Sequence, residues 1–159
     1  MTEKIDNFTD PACRCHDGVD RIKWVEMDGG VTFSRRGGKG VMLAGNYRHA
    51  NALSSSLAGW LECEAVGVTN GHPDSVTSGD KLPVNFGLDK TCVFPTSNRV
   101  AVEADIGRAF DIVVEGADQK QYINMAASTL GVVVVTDIID VDGDFVAVRI
   151  PTANRYGNL

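Results

Sequence analysis

No stretch of this 159-residue chain approaches the roughly 20 consecutive apolar residues that a membrane-spanning helix needs. Its polar start, Met1-Thr2-Glu3-Lys4-Ile5-Asp6, lacks the hydrophobic segment of a signal peptide. Both absences predict a soluble protein made in a cytoplasm, where the Asn7-Phe8-Thr9 sequon is without meaning. Positive charge is short as well: 15 Lys and Arg against 21 Asp and Glu leave a net charge of -6. A general nucleic-acid binder needs the opposite balance to neutralise phosphates, so direct nucleic-acid binding is not expected. Histidine is scarce, with His16, His49 and His72 too scattered to nominate a triad. There is no Gly-x-Ser-x-Gly elbow, no Gly-x-Gly-x-x-Gly after a strand and no Gly-Lys-Ser/Thr phosphate loop. These absences disfavour an enzyme.

What is present is strand character. Hydrophobic residues make up 43% and charged residues 23%, which predicts a globular chain, and the length suits one domain with one core. The strongest signal is a terminal hairpin over 131–151, where Val132-Val133-Val134-Val135-Thr136-Asp137-Ile138-Ile139 and Phe145-Val146-Ala147-Val148-Arg149-Ile150 flank Val141-Asp142-Gly143. A two-residue Asp142-Gly143 loop would bury Asp137 among Val146, Val148 and Ile150, which is costly for a carboxylate. An odd loop of Val141, Asp142 and Gly143, with Gly143 in the left-handed bulge position, instead aligns Val132, Val134, Thr136 and Ile138 with Val146, Val148 and Ile150. Asp137 then lies on the other face, within diagonal reach of Arg149.

Residues 1–20 are polar, contain Pro11 and show no apolar period, so they read as an extended N-terminal arm preceding a single β-rich domain over 21–159. Strands are expected at Ile22 to Val25, after Asp28-Gly29-Gly30 at Val31 to Phe33, and at Val41 to Ala44. The spacing of Ala50, Leu53, Leu57 and Trp60 allows at most one or two helical turns, because Ser54-Ser55-Ser56 are weak helix formers. From Gly59 the chain alternates, with Leu61, Cys63 and Ala65 against Trp60, Glu62 and Glu64. Further strands are expected at Leu82 to Phe86, at Thr91 to Phe94 with Pro95 as terminator, at Val100 to Ala104, at Ala109 to Val114 and at Gln121 to Asn124. Many short strands, 17 glycines and no long amphipathic helix predict a mainly β fold, a compact antiparallel barrel or sandwich.

Several clusters carry potential chemistry. Cys13-Arg14-Cys15-His16 packs three candidate zinc ligands, Cys13, Cys15 and His16, into four residues, but without the usual Cys-x-x-Cys spacing. Ordinary thiols are the simpler reading, and Cys63 and Cys92 on apolar strand faces suit small hydrophobes. Asp140-Val141-Asp142-Gly143-Asp144 opens like a calcium loop, yet its glycine is fourth and position 151 is proline where a bidentate Glu is required. The hairpin turn accounts for those residues without an ion. The basic tip with Arg35, Arg36 and Lys39 reads as a solvated turn, or as a contact for an acidic partner surface or nucleic acid. Trp60 and Phe110 suit a core, and Arg155, Tyr156 and Leu159 offer contact chemistry at the C-terminal end.

Gly45-Asn46 through Gly59-Trp60-Leu61-Glu62, then Ser78-Gly79-Asp80-Lys81-Leu82, Ile106-Gly107-Arg108-Ala109-Phe110-Asp111 and the Val-rich hairpin together resemble small virion proteins of tailed phages. The order of strands and turns over roughly residues 40–151 is similar to capsid decoration, or cement, proteins with a β-tulip-like body. That resemblance implies a non-enzymatic structural protein on the capsid surface of a virion, without cofactor. Its partners would be the major capsid protein and further copies of itself in a symmetric dimer or trimer. A tail or head-completion component is the nearest alternative, and a small zinc- or ligand-binding β-barrel is the alternative from another class.

Overall fold

The computed structural model describes residues 15–28, 31–32, 40–44, 46–49, 54–61, 75–76, 81–87, 89–115 and 120–151. The fold is mainly β, with thirteen strands in the described residues: β1 (Cys15–Asp17), β2 (Ile22–Glu26), β3 (Val31–Thr32), β4 (Gly40–Ala44), β5 (Asn46–His49), β6 (Gly59–Leu61), β7 (Ser75–Val76), β8 (Lys81–Asn85), β9 (Thr91–Ser97), β10 (Ala109–Glu115), β11 (Lys120–Asn124), β12 (Val133–Ile138) and β13 (Phe145–Arg149). Five of them close into a barrel in the order β9-β11-β10-β12-β13 and back to β9. All junctions are antiparallel except β9 with β11, which run parallel through Thr96↔Ile123 and Ser97↔Asn124. Closure removes the sheet edges, and the interior is filled by Phe94, Phe110, Ile112, Ile123, Val133, Val135, Val146 and Val148, all at most 3% exposed.

The terminal hairpin is β12 and β13. Its loop is odd in length: Ile138 pairs with Val146, Ile139 donates to the Phe145 carbonyl, and Gly143 takes a positive φ of 73°. Gly143 is required twice over, since a Cβ there would also collide with the Ala101 carbonyl oxygen. One expectation is corrected. A bulge at Thr136 shifts the register between Val135 and Asp137, so beyond it Val135 pairs with Val148 and Val134 with Arg149. The inward residues are therefore Val133 and Val135 rather than Val134 and Thr136. Asp137 is exposed and accepts the Ile138 amide at 2.8 Å. Among the described residues it makes no ion pair with Arg149.

Two other expectations are revised, and the allowance of at most one or two helical turns before Trp60 goes unused over 54–60. Pro95 does not end β9, which continues to Ser97. The Thr96 amide points at β13, bonding the Asp144 carbonyl at 2.8 Å, so the Pro95 nitrogen faces the opposite flank. There β9 passes from β1 at its start to β11 at its end, and no ladder bond is lost. Val100 to Ala104 is not a strand but a loop with a 3-10 turn at Glu103–Asp105, and its phase is inverted: Ala101 is buried while Val100 and Val102 are exposed. No helix forms over 54–60. The chain there is extended, with the Ala58 amide on the Val41 carbonyl, because this path buries both Leu57 and Trp60.

A second, antiparallel sheet has the order β2-β8-β6-β4-β5 and its own small core of Met27, Val41, Leu61, Leu82 and Val84. Its ends curl toward each other and meet in one bridge, Met27↔Tyr47, where the Asp28 amide bonds the Tyr47 carbonyl. β3 and β7 form a separate two-stranded ribbon. β6 joins the two bodies. Its alternation sends Trp60 into the barrel core and Leu61 into the second core, so both faces of a strand expected to be half-buried are covered. The Trp60 ring lies 5.5 Å from that of Phe94, and its Nε1 donates to the Lys90 carbonyl at 3.1 Å. Buried Gln121 of β11 adds a second tie, accepting from the Gly40 amide at 2.7 Å and donating to the Gly40 carbonyl at 3.0 Å.

Candidate interaction surfaces

The residues singled out from sequence divide three ways. Cys13, Arg35, Arg36, Lys39, Cys63, His72, Arg155, Tyr156 and Leu159 lie outside the described residues. Cys15 and His16 belong to β1, which lies antiparallel on the first half of β9 with Cys15 opposite Cys92. The end of the expected arm is thus paired into the sheet. Cys92 itself is buried in the barrel core, as a small hydrophobe would be. Asp140, Asp142 and Asp144 do come together, with carboxylate oxygens within 4.8 Å of one another. One carboxylate is already used by the turn: Asp140 Oδ1 accepts the Asp144 and Phe145 amides at 2.9 and 3.2 Å.

The buried charges brace loops. Asp105, 1% exposed, receives both guanidinium nitrogens of Arg99 at 2.7 and 2.8 Å and the Val102 amide at 2.9 Å. The paired Arg99 holds the Asp105 carboxyl well below its ordinary 3.8, at about 2, and Asp105 in turn raises the Arg99 guanidinium. Arg99 and Arg108 each sit 5.9 Å from the centroid of the Phe110 ring. Asp111, expected with Arg108, Ala109 and Phe110 in a core or an interface, is buried and accepts the Leu130 and Gly131 amides at 2.9 and 2.7 Å, which fixes the connection from β11 to β12. At the seam, Asp20 receives the Lys90 ammonium at 2.5 Å and the Asn85 amide at 3.0 Å, which together lower its pKa. The segment between β1 and β2 is clasped against β8 and β9, and Gly87 has no Cβ because the Val19 carbonyl occupies that space.

Among the described residues, the exposed large hydrophobic residues fall into two stretches of chain: Val19, Ile22 and Trp24 in and before β2, and Val100, Val102 and Ile106 with Val141 of the hairpin turn. Trp24, 53% exposed, shares the outer face of β2 with Ile22, while Val25 and Met27 face the second core. Sequence reading placed this strand but missed its outer face. The signal was present in Ile22 and Trp24, apolar at alternate positions opposite the phase of Val25. No protein-family model, curated protein or solved structure matches the chain.

Proposed function

We propose that this chain is a non-enzymatic structural protein of a phage virion that docks on the outside of the capsid and stabilises the shell. The observation that carries the reading is the outer face of β2. Trp24 and Ile22 stand exposed on a strand whose Val25 packs on the second core, and Val19 is exposed in the preceding segment, which Asp20, Asn85 and Lys90 clasp. An exposed tryptophan on a rigid strand is an interface anchor that needs little ordering on binding. The closed barrel supports the reading as a stiff body with buried charges committed to bracing loops. Attachment to the assembled major capsid protein, and not to its free subunits, would strengthen the shell by linkage, and repeated equivalent sites reward a symmetric oligomer.

The test is co-sedimentation of the purified protein with empty expanded shells of its phage, followed by heating of decorated and bare particles. Saturable binding, a higher rupture temperature and roughly tenfold weaker attachment of Trp24→Ser are expected, the loss of one interface anchor. No affinity for shells, or attachment to tails instead, would overturn the reading.

A further inference from the structure

Every strand of the second sheet lies, in sequence, between two cysteines. The chain leaves the barrel's sheet after β1, builds β2 through β8 and returns as β9. At that neck Cys15 of β1 stands opposite Cys92 of β9. The kind of pair they make follows from the other flank of β9. The Thr96 amide bonds the Asp144 carbonyl, so along the same ladder the peptide groups of Phe94 and Cys92 are also directed at β13, opposite Val146 and Val148. The Cys92 peptide groups thus face β13 and not β1, which makes Cys15↔Cys92 a non-hydrogen-bonded pair. Such pairs are the close ones in an antiparallel ladder, with Cα atoms about 4.5 Å apart and both residues on one face of the sheet. A disulfide takes Cα separations of about 4.4–6.8 Å. The neck is drawn together at other points as well: Asp17 pairs with Thr91, Lys90 meets Asp20, and a Cβ on Gly18 would collide with the Asp89 carbonyl.

We propose that Cys15 and Cys92 are a redox pair that closes the neck of the second sheet with a cross-strand disulfide. The oxidant is a small-molecule disulfide of the glutathione class. The Cys15 thiolate attacks one of its sulfurs, forming a mixed disulfide and expelling one thiol. The Cys92 thiolate then attacks the Cys15 sulfur, and the second thiol leaves. Two protein thiols are oxidised, one small disulfide is reduced, and the two protons end on the two thiols released. Cys15 is the point of entry. Among the described residues β1 ends the sheet order, is three residues long and is held by two ladder pairs with a register shift between them, whereas Cys92 is fully buried. The bond ties the chain entering the second sheet to the chain leaving it, and a cross-link around so long a loop restricts the unfolded chain strongly. The inference holds whether or not the protein binds a shell.

The test equilibrates the full chain in glutathione buffers of rising oxidised-to-reduced ratio, then maps unreduced peptides by mass spectrometry and records the melting temperature. The expected product is an intramolecular cross-link between Cys15 and Cys92, with melting raised by roughly 5–15 °C over the reduced protein. Cys15→Ser, a change in a short end strand, keeps the circular dichroism of the wild type, forms no cross-link to Cys92 and melts at the same temperature in every buffer. Cys13→Ser still forms the bond, which separates the pair from its neighbour in the Cys13-Arg14-Cys15-His16 run. No bond at any ratio, cross-links that join Cys15 or Cys92 to Cys13 or Cys63 instead, a bond between molecules, loss of the bond in Cys13→Ser, or oxidised protein that melts no higher than reduced protein would overturn the proposal.

Discussion

The barrel and the second sheet are built from strands of similar length, yet they solve the problem of sheet edges to different degrees. The barrel closes through ladders of two to five pairs at every junction, with β13 paired to β9 from Phe145↔Pro95 to Arg149↔Thr91. Among the described residues, the second sheet closes through the single Met27↔Tyr47 bridge. Among the described residues, fifteen buried residues form the barrel cluster and five the other, and two of the fifteen, Leu57 and Trp60, come from in or beside β6 of the second sheet. The two bodies therefore share burial at β6, each core taking one of its neighbouring residues, Trp60 or Leu61. The smaller body lends its outer strand, β2, as accessible surface.

Trp60 tests that sharing most severely. Replacing it with Ala empties the contact with Phe94 and removes the donor to the Lys90 carbonyl, at a cost of about 3–5 kcal/mol. Urea unfolding should show that loss. Hydrogen exchange should show the amides of β4, β6 and β8 losing protection before those of β12 and β13. Equal loss in both bodies would mean that the second sheet does not lean on the barrel.

Much of this division was legible from residues, and the failures have a common cause. The Asp137 argument led to an odd hairpin loop with Gly143 in the left-handed region, because a carboxylate among valines is a strong local veto. The same argument was blind to the bulge at Thr136. Four consecutive valines carry no face preference, so nothing local marks where the phase slips. Val100 to Ala104 was read as a strand because Val100, Val102 and Ala104 alternate, but alternation reports period and not direction. Direction is decided by Asp105, whose pairing with Arg99 and the Val102 amide turns Ala101 inward. Trp60 and Leu61 were placed on opposite faces, which is right, but a strand between two cores buries both. Long-range partners settle each case. The interaction surfaces were the least legible, since an exposed Trp24 and a buried Trp60 look alike in sequence.

Acid sharpens the comparison at the barrel's end. Because the folded Asp105 carboxyl sits at about 2, below its ordinary 3.8, the stability it contributes is fully present above about pH 4 and disappears as pH falls through 2. Allowing for solvent screening of the partly exposed Arg99, Asp105→Asn should cost about 1–2 kcal/mol near neutrality. The gap between wild type and variant should close between pH 4 and 2. Denaturant titrations at several pH values measure it, and a gap that is constant with pH would show that Arg99 is held by shape and not by charge.

The smallest effect belongs to the second sheet and completes the contrast. Glu26 of β2 stands opposite Lys81 of β8, a cross-strand pair of opposite charges like Arg99 and Asp105, but both residues are exposed. Water screens such a pair and two long side chains lose entropy in meeting, so Lys81→Ala should change stability by less than about 0.5 kcal/mol. A double-mutant cycle with Glu26→Ala isolates the coupling, which should shrink further in high salt. If that coupling instead rivalled the effect of Asp105→Asn, the β2–β8 junction would be held by charge at its rim, and the single Met27↔Tyr47 bridge would no longer mark the weaker body.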